Sequence, residues 1–136
     1  APGMTRPGTR TAALVELVDL YPTLAELAGL PREPAWEGTS FVPLLTQPDR
    51  PWKSAVFGRY VRAGAVGLAI RTDRHRYVEW TRERDGEVID RELYEVPTDL
   101  LERHNIVTKD PLLAAAMAER LHAGWAAAQP SDQISH

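Results

Sequence analysis

Five prolines fall between Pro31 and Pro51. Each proline fixes φ and removes a backbone donor, so this stretch can be neither a long helix nor a central strand. It reads as an extended surface connection, with room for one short helical turn at Phe41 to Leu45. The chain is thereby divided into a helical part before the prolines and a β-like part after them.

In the first part, Ala1 to Thr11 is rich in Pro, Gly and Thr and reads as loop. Leu17, Leu20, Leu24 and Leu27 then recur at helical spacing, which predicts one buried stripe. Pro22 fits only near the start of that helix. Gly29 suits a left-handed stop just past its end. In the second part, Ser54 to Tyr60, Val66 to Thr72 and Tyr77 to Trp80 read as strands. Asp73-Arg74-His75 marks a hairpin and Arg82 to Gly86 a charged turn. Glu92-Leu93-Tyr94 reads as a short fourth strand, followed by a polar loop over Asp99 to Asn105. Asp110 is an N-cap candidate, with Pro111 as the first helical residue. Leu113, Met117, Leu121 and Trp125 lie four apart, a stripe that packs a terminal helix on the sheet. Pro130 ends it, and the last six residues are expected to fray. The pattern predicts an α+β fold: a small antiparallel sheet of about four strands with helices packed on one side.

Composition narrows the function classes. The chain has 136 residues, of which 43% are hydrophobic and 26% charged, as expected of a globular domain with a real core. It has no cysteine, which excludes disulfides, Cys-ligated zinc and thiol catalysis. A net charge of -3 argues against a nucleic-acid partner, and no apolar run is long enough to span a membrane. Between Arg59 and Arg76, however, stand five arginines and a single acid, Asp73, a stretch suited to an anion. The chain starts on Ala1 without a charged-then-apolar leader, as a processed or excised chain would.

Three segments resemble one family. Ala1-Pro2-Gly3, Val15-Glu16-Leu17-Val18-Asp19-Leu20-Tyr21-Pro22-Thr23-Leu24 and Leu27-Ala28-Gly29-Leu30 are similar to the sulfatase segment that follows the core sheet. Glu37-Gly38-Thr39-Ser40-Phe41 with Leu44-Leu45 resembles its next landmark. Ile70 to Tyr77 with Trp80, and Glu92-Leu93-Tyr94 with Thr98-Asp99 and Asn105, look like its C-terminal sheet. The best match is to iduronate-2-sulfatase and its bacterial relatives, and it spans roughly Ala1 to Trp125. Locally, Gly58-Arg59-Tyr60-Val61-Arg62 stands where those enzymes usually show Ser-Gln-Tyr-Pro-Arg. Gly67-Leu68-Ala69-Ile70-Arg71 replaces their Gly-Tyr-Ser-Ile-Arg, and Asp99-Leu100 their Asp-Pro. The first two departures fall where substrate contacts are expected.

The resemblance implies an alkaline-phosphatase-like fold. Residues 1–50 would end the core domain, and residues 51–136 would form the C-terminal sheet and terminal helix. It implies an N-terminal sulfatase core as partner, a sulfated small molecule or sugar as substrate, and calcium and formylglycine held by that core. The family's nucleophile is a Cys or Ser followed by Pro and Arg at alternate positions. Ser40, Ser54, Ser131 and Ser135 all lack those neighbours. No catalytic and no metal-binding residue is therefore expected in this chain, and alone it should be inactive. Arg59, Tyr60 and Arg62 are the candidate substrate-binding residues: two guanidinium groups around one tyrosine suit a carboxylate or sulfate. Strand alternation puts Tyr60 and Arg62 on one face and Arg59 on the other.

Other polar residues have plainer readings. Asp19, in a first helical turn, more often complements the helix dipole than binds metal. His75, His104, His122 and His136 share no ligand-like spacing. The four tryptophans read as packing residues, Lys53 as a solvated surface lysine, and Arg71 as a partner of a carboxylate such as Asp99. Two alternatives stay open: a free-standing module that binds an acidic saccharide or a protein, and a truncated gene product.

Overall fold

The computed structural model describes residues 7–130; the start of the expected N-terminal loop and the expected frayed tail lie outside them. The described residues form two compact units, one of residues 7–53 with 129–130 and one of Ser54–Ala128.

In the first unit a 3-10 turn, Leu17–Asp19, runs into α1 (Leu20–Leu27). Pro22 falls in the first turn of α1, where no intrahelical donor is required. Gly29 adopts φ 70° just past its end, as the sequence predicts. A second helix, α2 (Val42–Thr46), interrupts the proline-rich connection.

Two separated sequence landmarks clasp each other here. The Thr39 N–H donates to Asp19 Oδ1 at 2.8 Å, and the Phe41 N–H donates to Thr23 Oγ1 at 3.0 Å. Thr23 in turn donates to the Asp19 carbonyl at 2.6 Å. Gly38 has to be glycine, because a Cβ there would lie 2.0 Å from the Val18 carbonyl oxygen. The Glu-Gly-Thr-Ser-Phe run is thus fixed by backbone approach and by bonds to the helix start.

Two expectations fail in this unit. The leucine stripe of α1 is not buried: Leu17 is 86% exposed, and Leu20 and Leu24 are also exposed. The helix instead buries Pro22, Thr23 and Ala25, because its inward side is the one that carries the hydrogen bonds to Thr39–Phe41. Lys53 is not solvated either. It is only 5% exposed, and its Nζ donates to both Asp19 oxygens at 2.8 Å and to Glu16 Oε2 at 2.7 Å. A lysine enters such a place only when carboxylates answer its charge.

The second unit is a four-stranded antiparallel meander of β1 (Val56–Arg62), β2 (Ala65–Arg71), β3 (His75–Arg82) and β4 (Val88–Glu95). Gly64, at φ 76°, permits the two-residue turn between β1 and β2. α3 (Pro111–Ala123) packs on one face of the sheet. Its N-cap is Asp110, whose carboxylate accepts the Leu113 N–H at 3.0 Å. Ala114, Met117 and Leu121 meet Ile70, Tyr77 and Leu93 in the core. Trp125 does not join that stripe. Gly124, at φ 81°, ends the helix, and Trp125 sits half out of the protein in a following 3-10 turn, Trp125–Ala128. The fold is α+β, with its helix on one side of the sheet.

Asn105 finishes the β4 edge. Its Oδ1 accepts the Leu93 N–H at 3.0 Å, its Nδ2 donates to the Arg91 carbonyl at 3.1 Å, and the Ile106 N–H donates to the Leu93 carbonyl at 2.8 Å. The side-chain amide acts as one further rung of the ladder and satisfies an edge that would otherwise be open. Arg71 stands exposed, and Asp99 instead accepts the His104 N–H at 2.8 Å.

Candidate functional site

The sheet has two unlike faces. Alternation sends Phe57, Ile70, Tyr77 and Leu93 toward α3. The opposite face of β1 and β2 is built from Val56, Gly58, Tyr60, Arg62, Ala65, Gly67, Ala69 and Arg71, and its middle is small: Gly58, Gly67 and Ala69. No helix of this unit covers that face.

The register places Tyr60 opposite Gly67 and Gly67 opposite Trp80. The glycine is what permits this row. A Cβ on Gly67 would come within 2.8 to 2.9 Å of three atoms of the Trp80 ring. The indole therefore lies down across β2. The Tyr60 ring meets it edge-on, with centroids 6.3 Å apart and planes at 88°. The Arg62 guanidinium sits over it, with Cζ 3.7 Å from the ring centroid. Trp80 is 8% exposed beneath them, while Tyr60 remains 66% exposed. Together with Ala69 and Val78, these residues line a shallow depression of about 400 Å³.

The indole is anchored from the far side. Trp80 Nε1 donates to Glu92 Oε1 at 2.7 Å, and the Tyr94 hydroxyl donates to Glu92 Oε2 at 3.1 Å. Burial, and then the Glu92 carboxylate, push the Tyr94 hydroxyl up to about 12, so it remains a donor through the neutral range. Arg76, also at the depression, is paired with Glu102.

Of the three residues singled out from sequence, Tyr60 and Arg62 meet on this face. Arg59 starts by alternation from the other face, opposite Leu68, yet it lines the rim of this depression as well as a second hollow with Leu121 and Trp125. Trp80 is a packing residue, as the sequence suggests, buried with Ala65 and Val78; its contact with Tyr60 and Arg62 is the part that sequence does not show. The available signal was a glycine opposite an aromatic, and it becomes visible only once the strand register is known.

A second polar cluster lies on the α3 side. Glu79 Oε1 is 2.9 Å from His122 Nε2, and Glu79 Oε2 accepts the Tyr77 hydroxyl at 3.1 Å and faces Arg91 Nε at 3.4 Å. Burial alone would push the Glu79 carboxyl up. The bonds from His122 and Tyr77, with the charges of His122 and Arg91, outweigh it and hold the group below its ordinary value. This cluster ties α3 to β3.

Among the described residues, no three His, Asp or Glu side chains are grouped closely enough to hold a metal ion. With no cysteine and no suitably flanked serine either, the residues present do not fit calcium or formylglycine.

Residues 1–127 match the family model for the C-terminal region of N-sulphoglucosamine sulphohydrolase. Arylsulfatase K of Homo sapiens is 29% identical over 131 residues, which are 89% of this chain and 24% of that protein. A putative sulfatase from Bacteroides thetaiotaomicron is 27% identical with a TM-score of 0.59, over 77% of this chain and 22% of its own. The crystal structure of Ps i-CgsB superposes with a TM-score of 0.67 over 90% of this chain and 26% of its own; at 24% identity that likeness concerns the fold alone. The chain spans about a quarter of the length of the curated relatives it matches.

Proposed function

This chain belongs to the N-sulphoglucosamine sulphohydrolase C-terminal family, a C-terminal region of sulfatases, and on that footing we propose that it completes a sulfatase fold and lines the substrate cleft. Its partner is an N-terminal sulfatase core, which supplies the nucleophile and the calcium ion. The chain alone has no turnover. Arg59, Tyr60 and Arg62 form part of the cleft wall, and the substrate is a sulfated sugar that also bears a carboxylate, as for an iduronate-2-sulfatase-like enzyme.

One observation carries this reading: Arg62 is held on the Trp80 ring beside an exposed tyrosine, at the rim of an open depression. An aromatic ring face offers no lone pair, so the guanidinium donors remain for an oxyanion. Tyr60 supplies a flat apolar surface with a polar tip, which suits a sugar ring.

The test uses this chain joined to its N-terminal core. Arg62→Ala is compared on an acidic sulfated sugar and on a neutral aryl sulfate. A hydrogen-bonded charge contact predicts a loss of roughly ten-fold or more in kcat/KM on the acidic substrate alone. Equal rates, or equal losses, on both substrates would make Arg62 a surface residue.

A further inference from the structure

A flexible arginine holds one geometry only where a neighbour restrains it. We infer that Trp80 is a positioning residue: it fixes the Arg62 guanidinium so that its paired donors meet the carboxylate of the sugar. The inference rests on the proposed cleft role of Arg62 and goes beyond it, since it assigns part of the specificity to a largely buried indole that acts through Arg62.

The geometry supports this in three steps. First, Arg62 has no carboxylate partner among the described residues, and its guanidinium carbon lies 3.7 Å from the Trp80 centroid. A ring face restrains the cation through its quadrupole and leaves donors unconsumed, whereas an ion pair would occupy them. Second, the indole is not free to tilt. Gly67 lets it lie against β2, Glu92 holds its N–H at 2.7 Å, and Tyr94 holds Glu92. Third, the Tyr60 ring stands nearly perpendicular to the indole, with centroids 6.3 Å apart, so it neighbours the ring without stacking on it as Arg62 does. An arginine on an ordinary edge strand samples many rotamers, and ordering them opposes binding. Here that ordering precedes the ligand.

A planar two-oxygen group is the natural ligand for such a fork. A carboxylate and a sulfate both offer two oxygens, so the test must separate them. The assembled enzyme is assayed on an acidic sulfated sugar, on the methyl ester of the same sugar, and on a neutral aryl sulfate. Trp80→Leu is expected to raise KM for the acid roughly ten-fold, with kcat little changed and both substrates that lack a carboxylate unaffected. Trp80→Phe, which restores a ring face, should recover most of the loss. Arg62→Ala combined with Trp80→Leu should be no worse than Arg62→Ala alone, as expected of residues that act through one contact.

Trp80 is buried, so a second route avoids changing it. Glu92→Leu removes the acceptor of the indole at a half-buried position and should raise KM for the acid several-fold. If Arg62→Ala weakens the acid selectively but Trp80→Leu and Glu92→Leu do not, the cleft reading stands and the positioning role is overturned. Equal losses on all three substrates, with a lowered melting temperature, would also overturn it, because Trp80 would then be packing alone. If the ester suffers as much as the acid, the recognised group is the sulfate and the carboxylate assignment falls. If Arg62→Ala changes nothing, the cleft reading fails and this inference fails with it.

Discussion

A lysine ammonium with almost no access to water persists only where opposite charge and hydrogen bonds replace the lost hydration. Lys53 has both, from Asp19 and Glu16, and Asp19 also takes the Thr39 and Glu16 backbone donors. Lys53→Met would leave the Asp19 carboxylate buried with backbone donors but without its cation. Breaking a buried pair from one side costs about 3 kcal/mol or more. Denaturant unfolding should register that loss, and Lys53→Met with Asp19→Asn should recover part of it, since the buried site is then neutral. A single-variant change within about 0.5 kcal/mol would mean that water already reaches the pair. None of this was legible in the sequence. Lys53 and Asp19 stand 34 residues apart, and nothing local to Trp52-Lys53-Ser54 separates a buried lysine from a solvated one. The sequence shows Asp19 in a first helical turn, but its partners Thr39 and Lys53 are tertiary.

At the scale of elements, the features that sequence announces are those with a local cause. Asp110-Pro111 opens α3 because one side chain caps and the next residue needs no donor. The alternation of β1 follows from strand geometry, so the shared face of Tyr60 and Arg62 was legible, while the Trp80 ring between them depended on register. The β4 edge was not legible, because Asn105 acts as a rung only once the chain has returned to Leu93. The link between α3 and β3 was likewise hidden, and it responds to pH. The Glu79 carboxyl titrates below its ordinary value near 4.5 when folded, so folding favours its ionised form. Its contribution is complete above that value and is lost as pH falls through the folded one. Against Glu79→Gln, the wild type should be more stable at neutral pH, and the gap should close once pH falls well below 4.5. Melting temperatures in that acid range decide it: a gap that does not shrink there would remove Glu79 from the account.

At the scale of the whole molecule, the exposed leucines of α1 are the main discord. Leu17, Leu20 and Leu24, with Val15, Val18, Tyr21 and Leu30, are all exposed. Helical spacing foretold an apolar stripe correctly, but periodicity reports only that a face is apolar and not what covers it. Solvent-facing large aliphatics so close in sequence are uncommon in a monomer and mark a surface that meets another. The chain spans about a quarter of its curated relatives, so the cover we propose is the sulfatase core that precedes this region in them. Two consequences can be measured. The isolated chain should bind a hydrophobic dye and associate in light scattering or native mass spectrometry. Leu17→Glu with Leu24→Glu should suppress both, since each change places a charge on the stripe without touching the buried Thr23 or Ala25. In the chain joined to its core the same pair should do the opposite and lower stability, because the charges would then enter a packed interface. A dye-free monomer would mean that the stripe needs no cover. An unchanged melting temperature in the joined protein would mean that the core does not supply one.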